Sequence, residues 1–78
     1  MRLFAALREI AGAARLEVGG ATVDEVVEAL TEKFGRRFGE IARAGSVVVD
    51  GERSSLERSL EGDEEVALLP PVSGGAGP

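Results

Sequence analysis

The sequence has no cysteine and no histidine. Their absence excludes disulfide staples, thiolate or imidazole metal sites, iron–sulfur clusters, and any Cys or His nucleophile or base from this chain. Basic residues are few: nine Lys and Arg stand against fourteen Asp and Glu, a net charge of −5. Phosphate neutralisation needs a basic face, so no nucleic-acid partner is expected, while a basic protein partner is compatible with this balance. No apolar stretch approaches the roughly 20 residues of a membrane span. Arg8 and Glu9 interrupt the first apolar run too early for a secretory signal. A cytoplasmic protein with no membrane partner is therefore expected. At 78 residues there is room for one core, and a chain of this size buries only roughly 60% of its unfolded surface. A deep, dry pocket would compete with that core for the same side chains. Composition thus favours a small binding or carrier module over a self-contained enzyme.

The residues that are present divide into short elements. Met1 to Ala5 reads as a short first strand. Phe4, Leu7, Ile10 and Ala11 recur at helical spacing and stop at Gly12. Arg15-Leu16-Glu17-Val18 alternates polar and apolar, the pattern of a half-buried strand. The clearest element follows at 22–34. Thr22 and Glu25 have capping-box spacing, Asp24, Glu25 and Glu28 suit the positive end of a helix, and Val23, Val26, Val27, Leu30 and Phe34 form one stripe. Gly35 reads as its C-cap, with Lys33 and Arg36 near its negative end. Phe38, Ile41 and Ala42 suggest a further short turn of helix. Ser46 to Val49 is β-branched and reads as a strand, and Asp50-Gly51 is a hairpin turn signal. Leu56 and Leu60 are expected to pack a loop onto the core. Gly62-Asp63 is a turn, Glu65 to Leu69 a last strand, and Pro70-Pro71 ends it. An amphipathic helix across one face of a mixed sheet is an economical two-layer α+β solution at this length.

Most apparent motifs dissolve on inspection. Asp63, Glu64 and Glu65, with Asp50 and Glu52, crowd carboxylates without EF-hand spacing and read as solvated turn charges, so no metal site is expected. Gly19-Gly20 and Gly74-Gly75 make no dinucleotide fingerprint. The serines have no histidine to activate them and no Ser-x-x-Lys pattern. Arg2, Arg8, Arg36, Arg37 and Arg43 read as a scattered solvated surface.

The C-terminal stretch is different. A glycine pair after a sheet-ending Pro-Pro is not needed for folding, and glycine, lacking Cβ, threads a channel too narrow for any other residue. Such a terminal run also fits plain local disorder. Three segments carry a resemblance: Leu3-Phe4-Ala5-Ala6-Leu7-Arg8-Glu9-Ile10-Ala11-Gly12, Val49-Asp50-Gly51-Glu52, and the closing stretch from Leu60 through Leu69-Pro70-Pro71-Val72-Ser73-Gly74-Gly75. Together they resemble the MoaD/ThiS family of sulfur carriers, in particular the small subunit of molybdopterin synthase (molybdopterin converting factor subunit 1). The resemblance implies a ubiquitin-like β-grasp, here residues 1–71, with a flexible functional tail at 72–78.

It also implies a mechanism. An adenylating enzyme of the ubiquitin-activating type would use ATP to convert the Gly75 carboxylate into an acyl-adenylate. A sulfur donor would displace AMP and leave a thiocarboxylate. The tail would then donate sulfur within the large synthase subunit during molybdenum cofactor biosynthesis. Gly74 and Gly75 would thread the channel, and Val72 and Ser73 would anchor the tail at its mouth. No cofactor is expected on this chain, which would be the non-catalytic sulfur donor of the complex. The family pattern ends at the glycine pair, whereas this chain continues with Ala76-Gly77-Pro78. Removal of those three residues by a trimming protease is therefore expected before activation. The family pattern also commonly places residues ahead of Leu-Phe-Ala, so a short first strand is expected. The same chemistry for thiamine or cysteine biosynthesis, or a ubiquitin-like protein modifier, stands as the alternative. Docking is expected to use the exposed sheet face and the tail together, with strand register deciding which side chains take part.

Overall fold

The computed structural model describes residues 1–71. Strand β1 (Arg2–Leu3) is followed by helices α1 (Ala5–Ala11), α2 (Val23–Phe34) and α3 (Arg36–Ala44), then strands β2 (Ser46–Val49), β3 (Glu52–Ser54) and β4 (Val66–Leu69). The sheet order is β1-β4-β2-β3, with β1 parallel to β4 and the other pairs antiparallel. The helices and one sheet face share a core of Leu3, Leu7, Val23, Val26, Val27, Leu30, Phe38, Ala42, Val47, Val49, Val66 and Leu68. This is the expected β-grasp, a mixed sheet packed on one main helix. The tail at 72–78 lies outside the described residues.

Helix α2 follows its sequence pattern. Its stripe buries Val23, Val26, Val27 and Leu30, with Phe34 half-buried. Each N–H of its first turn finds an acceptor, as a buried helix end requires. Val23 N–H donates to Arg58 O (3.0 Å) and Asp24 N–H to Leu56 O (2.8 Å). Glu25 N–H donates to the Thr22 hydroxyl (3.2 Å) and Val26 N–H to Thr22 O (3.2 Å). The Glu25 carboxylate reaches back one residue further than a standard capping box, to Ala21 N–H (2.9 Å). The Leu56–Leu60 loop thus packs on the core, as expected, and also completes the helix cap.

The Asp50-Gly51 turn joins β2 to β3 with positive φ at both central residues, 51° and 82°. That is the type I′ signature, whose twist matches the strands it connects. Asp50 is also tied to β4: its N–H donates to Glu65 O (2.8 Å), and its carboxylate accepts from Glu65 N–H (2.9 Å).

Two expectations need correction. The segment 15–18 is not a ladder strand. It makes one antiparallel bridge, Arg2 to Arg15, and Leu16 N–H donates to Met1 O at 3.0 Å. In that register Leu16 faces Met1. The short turn around Phe38 is a nine-residue helix, α3. Gly35, at φ 106°, ends α2 as expected and also caps α3, so Arg36 lies just past the end of α2 and opens α3 with no loop between them. The first strand is two residues long, as the short-strand expectation has it. It stops because Phe4 turns away as the N-cap of α1.

The acidic turn before β4 uses one of its carboxylates structurally. Glu64 accepts from Glu61 N–H (2.8 Å) and Gly62 N–H (2.9 Å). These bonds, the first from Glu61, hold its carboxyl below the usual value of 4.5. A depressed native value means the charged form stabilises the fold above the ordinary glutamate pKa, and that contribution is lost as pH falls through the native value. Glu64→Gln is therefore expected to flatten the acid limb of stability below about pH 4.5. Urea unfolding at several pH values checks it, and parallel curves for the two proteins would refute the role.

Candidate functional site

Alternation along each strand sends half of the sheet's side chains away from the core. Register aligns Arg2 with Ala67, Ala67 with Val48, and Val48 with Arg53, so these four form one row across all four strands. The adjacent row pairs Leu69 with Ser46. Val48, Ala67 and Leu69 are half-buried yet lie outside the core cluster. Neighbouring strands stand about 4.8 Å apart, so the two arginines bracket the apolar strip at a separation of about 14 Å.

Each arginine is held on this face by a neighbour. The Arg2 guanidinium lies over the Phe4 ring, 5.6 Å from its centroid. Arg53 donates to the Ser46 hydroxyl at 3.2 Å. In a chain of net charge −5 the sheet face therefore has an apolar centre with positive edges.

Strand β4 runs through the middle of this face and leads to Pro70 and Pro71. Its exit passes directly over Gly45. A Cβ at residue 45 would lie 1.8 Å from Leu69 O and 3.0 Å from the Pro70 carbonyl carbon. Both contacts are backbone, so no rotamer relieves them. Glycine at the α3–β2 junction thus sets the path on which the chain leaves the sheet.

The predicted tail residues Val72, Ser73, Gly74 and Gly75 all lie outside the described residues. What the structure places is the point from which they depart, at the end of β4 beside the apolar strip. The carboxylates of the acidic turns are not all the solvated charges that the sequence suggests: Glu65 pairs with Arg15 at 3.3 Å, and Glu64 caps its turn. Among the described residues no group of three or more His, Cys, Asp or Glu is placed to hold a metal. The arginines are scattered, as expected. Arg36 pairs with Glu40 at 3.6 Å, and Arg43 ties α3 to Asp24 and Glu28 of α2. An open groove is lined by Met1, Arg15, Leu16, Glu17, Asp63, Glu64 and Glu65. No helix of the described residues is long and apolar enough to cross a membrane.

The sequence did not single out Val48, Ala67, Leu69, Arg53 or Gly45. Ser46-Val47-Val48-Val49 and Val66-Ala67-Leu68-Leu69 are nearly continuous apolar runs, so which alternate residues face outward depends on pairing.

Comparison with known proteins supports the fold. Small archaeal modifier protein 1 of Haloferax volcanii is 37% identical over 84 residues, covering 95% of this chain and 97% of the relative. The solution structure of small archaeal modifier protein 1 from Methanosarcina acetivorans superposes with a TM-score of 0.80 at 31% identity, covering 95% of this chain and 92% of that one. A Pyrococcus furiosus protein described as a molybdopterin converting factor, subunit 1, shares the fold, with a TM-score of 0.74 at 24% identity over 91% of this chain and 93% of that one. The ThiS family model matches residues 1–75, from the first strand through the glycine pair. A β-grasp body, a last strand followed in the sequence by two glycines, and a family match spanning both have one common meaning: this chain belongs to the ThiS family.

Proposed function

We propose that the chain is a sulfur carrier whose working group is the Gly75 carboxylate, exposed by removal of Ala76, Gly77 and Pro78. The observation that carries this reading is the family match, which runs from residue 1 to Gly75. An adenylating partner joins a Gly75 carboxylate oxygen to the α-phosphorus of ATP, and pyrophosphate leaves. A sulfide-level nucleophile then attacks the Gly75 carbonyl carbon. The carbon–sulfur bond forms, the bond to the adenylate oxygen breaks, and AMP departs with the electron pair. The thiocarboxylate passes its sulfur to an acceptor enzyme, with the large subunit of molybdopterin synthase as the first choice.

The apolar strip between Arg2 and Arg53 serves as the docking face, since a partner seated there meets the chain where it leaves β4. ATP belongs to the activating partner, so no cofactor is assigned to this chain. The body supplies shape and the partners supply catalysis.

A second reading is favoured by the relatives named as modifiers. In it the same activated Gly75 is attacked by an amine instead of sulfur, forming an amide. The two readings share activation and differ in the nucleophile.

The test uses two proteins, one ending at Gly75 and one of 78 residues. Each is incubated with ATP, the adenylating enzyme and sulfide, and intact mass is measured. Exchange of one oxygen for sulfur in the shorter protein only is expected. No exchange in the shorter protein, or equal exchange in both, would reject Gly75 as the carrier group. Copurification separates the acceptors: a large synthase subunit supports the molybdopterin route, a thiazole or cysteine synthase another route, and lysine-linked conjugates the modifier reading.

A further inference from the structure

The segment Arg15-Leu16-Glu17-Val18 alternates like a strand, yet neither Glu17 nor Val18 joins a strand or a bridge. Its start is fixed by the Arg2 to Arg15 bridge and by Leu16, whose N–H donates to Met1 O and whose carbonyl accepts from the Met1 amino group at 2.9 Å. The chain is fixed again at Gly20, which lies so close to α2 that a Cβ would come within 2.9 Å of Val26 Cγ2 and 3.2 Å of Val26 N. Between these anchors the peptide groups of Glu17, Val18 and Gly19 make no backbone hydrogen bond among the described residues. Backbone polar groups held in place without a protein partner are left to solvent or to an incoming chain.

Across from this segment stands the acidic turn before β4, and the open groove runs between the two. Met1, Glu17, Asp63 and Glu64 line its outer reach. Its innermost part, about 70 Å³, is lined by Val18, Val26, Leu60 and Val66 together with backbone of the flanking glycines. The groove thus has an apolar floor with room for a short aliphatic side chain. Its rim is acidic. Glu65 is neutralised by Arg15 at 3.3 Å, and Glu64 accepts from the N–H groups of its own turn while keeping its charge. Glu17 and Asp63 are exposed on the two facing walls, and neither has an ion-pair partner among the described residues. The Met1 ammonium, the other cation lining the groove, is taken up by Leu16 O.

We propose that this groove docks an extended basic segment of a partner protein, one in which Lys or Arg alternates with aliphatic residues. Alternation sends successive side chains to opposite sides. The aliphatic ones face the floor beside Val18 and Leu60, and the long basic ones reach the carboxylates of Glu17 and Asp63. The peptide groups of the segment pair with those of Glu17 to Gly19, as in strand addition. Charge complementarity selects the occupant: on a chain of net charge −5 an acidic rim attracts a basic segment and repels an acidic one. The groove lies at the start of β4 (Val66–Leu69), about 10 Å from the Leu69 end at roughly 3.3 Å per residue. It shares no residue with the strip between Arg2 and Arg53, and docking here needs neither Gly75 nor its activation.

The experiment follows backbone amide NMR shifts of the full 78-residue chain during titration with a blocked synthetic peptide, Arg-Val-Lys-Val-Arg-Val-Lys. The expected result is saturable shifts at Glu17, Val18, Gly19 and Gly62 to Glu65, with Val48, Arg53 and Ala67 unmoved. The same peptide with Glu in place of every Lys and Arg gives no shift. Affinity falls as salt is raised from about 0.05 to about 0.3 M, because the rim charges are exposed and screened. Reversing both rim charges, Glu17→Arg with Asp63→Arg, weakens binding by at least about tenfold. The melting temperature of that variant stays near the parent's, since both residues are exposed. No shift under millimolar peptide, shifts centred on Val48 and Ala67, or full binding by the charge-reversed variant overturns the proposal. Spermidine that shifts the same amides at equal affinity also overturns it, by making the groove a site for small cations instead of a protein segment.

Discussion

Gly75→Ala, in protein ending at residue 75, melts at the temperature of the unaltered protein and loses sulfur loading by on the order of 100-fold. Stability is expected to hold because the core of the described residues runs from Leu3 to Leu68. On the proposed reading, loading is lost because a methyl group is placed on the carbon next to the reacting carbonyl, where a narrow channel would admit only bare backbone. A displacement of about 1 Å at a reacting centre is enough for an effect of that size. Circular dichroism melting and intact mass after incubation with ATP, the adenylating enzyme and sulfide read the two quantities separately. A drop in melting temperature would make residue 75 structural, and undiminished loading would remove the channel argument.

Phe38→Ala lowers stability by about 3–5 kcal/mol. Phe38 is the largest fully buried side chain, at 0% exposure, and stands where α3 meets α2. A domain of this size has only about 4–12 kcal/mol in total. The variant is therefore partly or wholly unfolded at room temperature, and its melting temperature falls by more than about 10 °C. Arg37→Ala, one residue away and exposed, stays within about 0.5 kcal/mol of the parent. Urea unfolding of the pair checks both. A loss under about 1 kcal/mol at Phe38 would contradict its burial in the core.

These two residues mark different kinds of legibility. Gly75 stands out in the sequence because a glycine pair after Pro70-Pro71 has no folding role to explain it. Phe38 does not stand out. It lies in Arg36-Arg37-Phe38-Gly39-Glu40, a polar stretch whose apolar side is made of Phe38, Gly39 and Ala42. Gly39 packs against Thr31 so closely that a Cβ would come within 2.4 Å of the Thr31 hydroxyl oxygen. Burying a glycine and an alanine leaves little hydrophobic signal, so α3 reads as a single turn until α2 is set beside it. The segment 15–18 errs in the other direction. Its alternation is genuine, but alternation does not say which strand lies opposite, and the segment makes one bridge, Arg2 to Arg15.

Local chemistry alone determined the features whose partners lie nearby in sequence. These are the capped stripe of α2, the Asp50-Gly51 turn, the strand-ending prolines, and the family to which the chain belongs. The docking face had to wait for the fold. Whether Val48 or Val47 faces outward depends on which residue of β4 lies opposite, and a one-residue slip would exchange the faces. The bracket of Arg2 and Arg53 joins positions 51 apart in sequence through two intervening strands. The close passage of Leu69 over Gly45 likewise exists only once β4 has inserted between β1 and β2. Contacts of that separation are created by pairing and packing, and no short stretch of residues encodes them by itself.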